Sequence, residues 1–105
     1  MSEMHKRPLF YILDGKIPKP ASLKEWTEHF QNPGKRFICY DVLAGGVTVS
    51  TIFKGLVSNA KGPPDVFETR ILGGEHDNYI NRYCTYEEAE QGHEDAVNMV
   101  LNKSS

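Results

Sequence analysis

The run RILGGEHDNY, Arg70 to Tyr79, holds the densest set of reactive groups in the chain: two glycines, then Glu75, His76 and Asp77. A metal ion would need three or four ligands converging on one point. Successive residues of an extended segment alternate faces instead, and no second His or Cys stands at ligand spacing. A phosphate cradle would need its glycines to lead into a helix N-terminus, where free N–H groups and the helix dipole act together. Here they lead into the β-rich run Ile80 to Cys84. The stretch therefore reads as a hairpin turn, and neither a metal nor a cofactor is expected from it.

Other groups have two readings each. His93 falls on the apolar stripe of the last helical pattern, so it is a hydrogen-bonded residue at the core edge or a general base. Glu68 lies mid-strand between Phe67 and Thr69. It is a structural ion paired with Arg82 or Arg70, or else a general base. Ser50 and Thr51 are sheet hydroxyls. Asp41 is the one acid expected opposite Ser50, and no nucleophile elbow surrounds either hydroxyl.

The elements that must position these groups follow from pattern. Residues 8–13, PLFYIL, read as a strand ended by Asp14-Gly15 and two prolines. Ser22 with Glu25 forms a capping box, and Leu23, Trp26 and Phe30 share one face of the helix it opens. Asn32-Pro33-Gly34 stops that helix. The segment RFICYDVLAGGVTVSTIF is a hairpin about Gly45-Gly46. With those two glycines as the loop, Val42 pairs with Val49, Tyr40 with Thr51 and Ile38 with Phe53, giving an apolar face. The opposite, mixed face then carries Phe37, Cys39, Asp41, Thr48, Ser50, Ile52 and Lys54.

Residues 55–65 are loop-like. The arms VFETRIL and INRYC form a further hairpin whose register charge decides. Turning about Glu75 sets Glu68 against Arg82, Phe67 against Tyr83 and Ile71 against Tyr79. Each such pair stabilises by about 0.2–1 kcal/mol. Turning about His76 would oppose Arg70 and Arg82. Thr85 to Glu88 is a second capping box, and Tyr86, Ala89, His93, Ala96, Val97, Val100 and Leu101 recur at helical spacing. The order is β-α-β-β-β-β-α, a small single α+β domain over residues 1–105 in which an antiparallel meander packs against two helices. Residues 1–7 and 102–105 are expected to be flexible.

Composition narrows the function classes. Acids and bases nearly cancel, with a formal net charge of −2, so no uniform field favours general nucleic-acid binding. The apolar run Leu9 to Leu13 is too short for a signal or membrane segment, and a cytoplasmic protein is expected. Cys39 and Cys84 lie in separate strand-like runs and read as free thiols.

The elements Ser50-Thr51-x-Phe53-x-Gly55-Leu56, Pro64, Phe67-Glu68-Thr69, Gly73-Gly74, Arg82-Tyr83-x-Thr85, Glu88-Ala89 and Gly92-His93 follow one another in order. In that order the chain resembles a family of small bacteriophage and prophage proteins of uncharacterised activity. The segment Tyr11 to Trp26 is similar to the same family's opening. Two departures are Lys61-Gly62-Pro63-Pro64 before the third hairpin arm, and Arg70 where apolar residues are usual. The resemblance carries over no catalytic residue. By association it implies a non-enzymatic inhibitor of a host defence, of the anti-CRISPR type or sequestering a signalling nucleotide, in the host cytoplasm. The binding surface expected for it is the mixed sheet face with Ser50, Lys54, Arg70, Arg82, Phe37 and Ile52. A homodimer interface is the competing use of that face. The rival functions are a small nucleotide-directed enzyme using Glu68 or His93, and a virion assembly module.

Overall fold

A computed structural model describes residues 7–101. The flexibility expected at the termini falls outside that range except at Arg7, whose guanidinium donates to Gly62 O at 2.8 Å. Strand β1 (Phe10–Asp14) turns at Gly15 and pairs antiparallel with β2 (Ile17–Ala21). The prolines expected to end the first strand instead lie inside β2, opposite Leu13 and Tyr11. Tyr11 gives its own N–H to Gly55 O (2.8 Å), away from β2. By alternation, Pro18 and Pro20 also turn outward, where a missing N–H breaks no ladder bond.

Helix α1 (Leu23–Phe30) starts at the expected capping box. Ser22 Oγ accepts Glu25 N–H at 3.1 Å, and Glu25 Oε1 accepts Ser22 N–H at 2.8 Å. Trp26 stacks on Phe30 with centroids 4.8 Å apart, and its Nε1 donates to Lys54 O at 3.0 Å. The Asn-Pro-Gly stop also begins a short helix, α2 (Pro33–Arg36), because Asn32 Oδ1 accepts Gly34 N–H.

The main sheet is a meander in the order β3-β4-β5-β6, with β3 at Phe37–Val42, β4 at Thr48–Phe53, β5 at Phe67–Leu72 and β6 at Ile80–Tyr83. The last hairpin has the register that charge selects, with Glu68 opposite Arg82 and Phe67 opposite Tyr83. The first hairpin departs from expectation by one residue. Its loop is Ala44-Gly45-Gly46 in a 3₁₀ turn, closed by Leu43 N–H to Val47 O at 2.7 Å. Both glycines take positive φ, 80° and 79°. Three loop residues instead of two pair Tyr40 with Ser50, Asp41 with Val49 and Cys39 with Thr51. A one-residue shift exchanges faces, so Cys39 and Asp41 turn to the core side and Tyr40 and Val42 to the mixed side. A bulge between Phe37 and Cys39 returns Phe37 to the mixed side opposite Ile52.

Helix α3 (Tyr86–Leu101) covers the core face. Its capping box closes with Glu88 N–H to Thr85 Oγ1 at 3.0 Å, and Glu88 Oε1 accepts the N–H groups of Cys84 and Thr85. Gly92 lets the helix approach β6, since a Cβ there would overlap the Tyr83 ring. The core has two apolar clusters. One gathers Phe53, Val66, Phe67, Tyr83 and Ala89, the other Val47, Val49, Ile71 and Ala96. Between them runs the cross-strand pair Thr51–Thr69, with His93 bonded to Thr51. The fold is thus α+β as expected, with β2 and α2 added and β1 paired with β2 in a second, two-stranded sheet.

Candidate functional site

His93 is only 5% exposed. Its Nε2 lies 2.7 Å from Asp41 Oδ2 and its Nδ1 2.7 Å from Thr51 Oγ1, while Thr51 and Thr69 share a hydroxyl hydrogen bond. With the proton on Nε2, the imidazole donates to the carboxylate. Nδ1 then accepts the Thr51 hydroxyl, which in turn accepts from Thr69. The composition is that of a hydroxyl–imidazole–carboxylate triad. A triad, however, needs room about 3 Å from its nucleophile for a reacting atom, and Thr51 and Thr69 are fully buried. The array therefore satisfies the polar strip that divides the core. Ser50 and Asp41, expected opposite one another, lie on different faces of the sheet, because the odd-length turn moved Asp41.

The outer face of the sheet has three cross-strand rows. Val42, Thr48 and Leu72 form the first, and Tyr40, Ser50, Arg70 and Ile80 the second. Phe37, Ile52, Glu68 and Arg82 form the third. Five of the expected binding residues, Ser50, Arg70, Arg82, Phe37 and Ile52, are brought together here. Phe37, Tyr40, Val42, Leu72 and Ile80 are all exposed. Phe37 and Tyr40 meet edge to face, with centroids 5.9 Å apart.

Glu68 is 12% exposed, with Arg82 Nε at 3.1 Å and Arg70 Nη2 at 3.6 Å from its two oxygens. One carboxylate between two half-exposed guanidiniums leaves the patch with one positive charge in excess. Tyr40 and Val42 were missed as surface residues. The signal that would have found them is Leu43, whose pairing with Val47 makes the turn three residues long.

Lys54 does not belong to this patch. Its side chain is 13% exposed, and Nζ donates to Leu56 O at 2.6 Å and Ser58 Oγ at 2.7 Å, with Asp65 Oδ1 at 4.0 Å. It fastens the 55–65 loop. Burial lowers its pKa, and the Asp65 charge opposes that shift. Burial would raise Asp65, but the N–H groups of Ser58 and Asn59 and the Lys54 charge together hold it below its ordinary value.

The GGEHD segment is built as a turn, with Asp77 Oδ1 accepting Gly73 N–H at 2.6 Å. Glu75 and His76 line a largely apolar hollow of about 320 Å³ with Leu43, Val47 and Val100. Among the described residues, no three His, Cys, Asp or Glu groups converge as a metal site would require. Cys39 and Cys84 are free thiols, each pushed up chiefly by burial. No helix among the described residues is long and apolar enough to cross a membrane.

Fold and site together define a small α+β protein with one sheet face under a helix and the other open. No protein-family model, curated protein or solved structure matches the chain.

Proposed function

We propose that the protein is a non-enzymatic binding protein that acts through the open face of its four-stranded sheet. The observation that carries this reading is the clustering of Phe37, Tyr40, Val42, Leu72 and Ile80 on one uncovered face beside Arg70 and Arg82. Phe37, Tyr40 and Val42 line the β3 side of that face, with Arg70 and Arg82 on the neighbouring strands, and aromatic and arginine residues dominate interaction sites. The most triad-like group, Asp41–His93–Thr51, is committed to the core, which favours binding over acid–base chemistry.

The resemblance to phage proteins supports a biological setting for that activity: inhibition of a bacterial defence, of the anti-CRISPR type, by occupying a host protein in the cytoplasm. Infection assays test this. Expressed in bacteria carrying a CRISPR or nucleotide-signalling defence, the protein restores infection by a targeted phage, and Arg70→Glu with Leu72→Ser abolishes the effect while the chain stays folded. No protection against any defence tested, combined with nucleotide turnover that vanishes on Glu68→Gln, would replace this reading by the enzyme. Stable incorporation into phage particles would replace it by the virion module.

A further inference from the structure

The GGEHD turn does more than join β5 to β6. Between it, the β3–β4 turn and the last turn of α3 lies a hollow of about 320 Å³. Leu43, Val47, Val100 and Leu101 make its apolar sides, and Glu75 and His76 stand beside them on the lining. None of these six residues belongs to the three rows of the open sheet face.

The walls are fixed by the fold itself. Gly73 N–H to Asp77 Oδ1 at 2.6 Å and Tyr79 N–H to His76 O at 3.0 Å close the GGEHD turn. Leu43 N–H to Val47 O at 2.7 Å closes the β3–β4 turn. Gly74 lies directly on Val47, so that a Cβ there would stand 2.8 Å from Val47 Cγ2. A side chain at Gly74 would push the two turns apart. Val47 is 8% exposed and belongs to the second apolar cluster, with Leu43 and Val100 packed against it. The hollow is therefore an extension of the core. Sites for small molecules have this character: mostly apolar, largely preformed, with a few polar groups that fix orientation.

Size and charge select the occupant. A dry cavity of about 150 Å³ holds benzene. A hollow of about 320 Å³ admits one such ring with a short polar arm. Glu75 is the one acid on the lining, where neither lysine nor arginine stands. Among the described residues, no cation pairs with Glu75. The last turn of α3 ends beside the hollow with no basic residue, and the carbonyl end of a helix carries partial negative charge. Both features attract a cation and repel a carboxylate or phosphate. His76 adds ring nitrogens for a hydrogen bond.

We propose that this hollow is a binding site for a small organic amine, with its apolar body against Leu43, Val47 and Val100 and its ammonium group at Glu75. The ammonium donates a charge-assisted hydrogen bond to the carboxylate. The body takes apolar surface of Val100 and Leu101 out of water; Leu101 is 59% exposed without it. So small a ligand binds in the millimolar range. Occupancy of this site is independent of what the open sheet face binds.

Titration of the whole chain with 2-phenylethylammonium chloride, followed by amide NMR, is the test. Saturable shifts are expected at Val47, Gly73, Gly74 and Val100, and none at Tyr40 or Arg70 of the outer face. 2-Phenylethanol, with the same ring and no charge, is expected to bind about tenfold more weakly. Phenylacetate is expected to give no saturable shift. Glu75 is exposed, so Glu75→Gln is expected to keep its melting temperature while binding the amine about tenfold more weakly. Absence of saturable shifts with the amine would overturn the proposal. So would the alcohol or phenylacetate binding as well as the amine, or undiminished affinity in Glu75→Gln. The comparison of the three probes uses the wild-type chain, so it decides the matter even where the variant alters the turn.

Discussion

His93 of α3 reaches across the core to Asp41 of the edge strand β3, Nε2 to Oδ2 at 2.7 Å, while its other nitrogen holds Thr51 of β4. One side chain thus ties helix, edge strand and central strand together. The imidazole sits where the two apolar clusters separate and accepts the hydrogen bond of the buried Thr51 hydroxyl, which has Thr69 as its other partner. His93→Ala opens a cavity and leaves the buried Thr51 hydroxyl short of an acceptor. We expect a loss of about 2–4 kcal/mol, read as a lower urea midpoint with the slope unchanged. Because His93 lies on the core side, binding through the outer face is expected to survive wherever the variant is folded.

Lys54 and Arg70 separate structure from binding. Lys54→Glu puts a carboxylate beside Asp65 inside the 55–65 loop and removes the donors to Leu56 and Ser58. A loss of about 3–5 kcal/mol is expected, in the range found when a buried pair is broken. Arg70 is half exposed and its contact with Glu68 is the longer of the two. Arg70→Glu is expected to change stability by about 1 kcal/mol or less. Paired melting curves check both, and an Arg70 variant as unstable as the Lys54 variant would contradict this assignment.

The elements that local chemistry determines were legible in the sequence. Ser22 and Thr85 announce their helices by capping boxes, and Glu68 with Arg82 fixes the last hairpin by charge. What the sequence concealed depends on context. Pro18 and Pro20 argue against a strand unless it is known to be an edge. Gly45-Gly46 suggests a two-residue loop, although Ala44 joins it. That single added residue moved Asp41 from the expected binding face to His93 and brought Tyr40 and Val42 out in its place. Lys54 looked exposed because alternation along β4 points it outward, and only the return of the 55–65 loop covers it.

Two glycines with the same backbone angle should respond differently to alanine. Gly15 and Gly55 both have φ of +65°, but a Cβ on Gly15 meets nothing within 4 Å. On Gly55 it would lie 2.5 Å from Tyr11 O and 2.8 Å from Trp26 Nε1. Gly15→Ala carries only the left-handed penalty, about 1–2 kcal/mol. Gly55→Ala adds displacement of β1 and of the Trp26–Lys54 hydrogen bond, and is expected to cost at least ~2 kcal/mol more. Chemical denaturation of the two variants side by side checks the difference. Equal losses would mean that the Trp26 contact yields freely.

The pH dependence has a predictable sign at His29. Burial against Phe53, reinforced by the Lys35 charge, lowers its pKa below the ordinary 6.5. The unfolded chain therefore takes up this proton at a higher pH than the folded one, and stability rises with pH between the two values. As pH falls, the His29 contribution begins to be lost near 6.5 and levels off below the folded pKa. Asp65 acts in a lower window. Its folded pKa is depressed, so its contribution is complete above the unfolded value of 3.8 and is lost as pH falls through the folded one. Urea denaturation at pH 7.5 and 5 is the direct measurement. Wild type is expected to lose stability over that interval, and His29→Gln to lose less, with Asp65→Asn paralleling wild type because Asp65 titrates below it. A His29→Gln profile parallel to wild type would show that this imidazole titrates alike in the folded and unfolded chains.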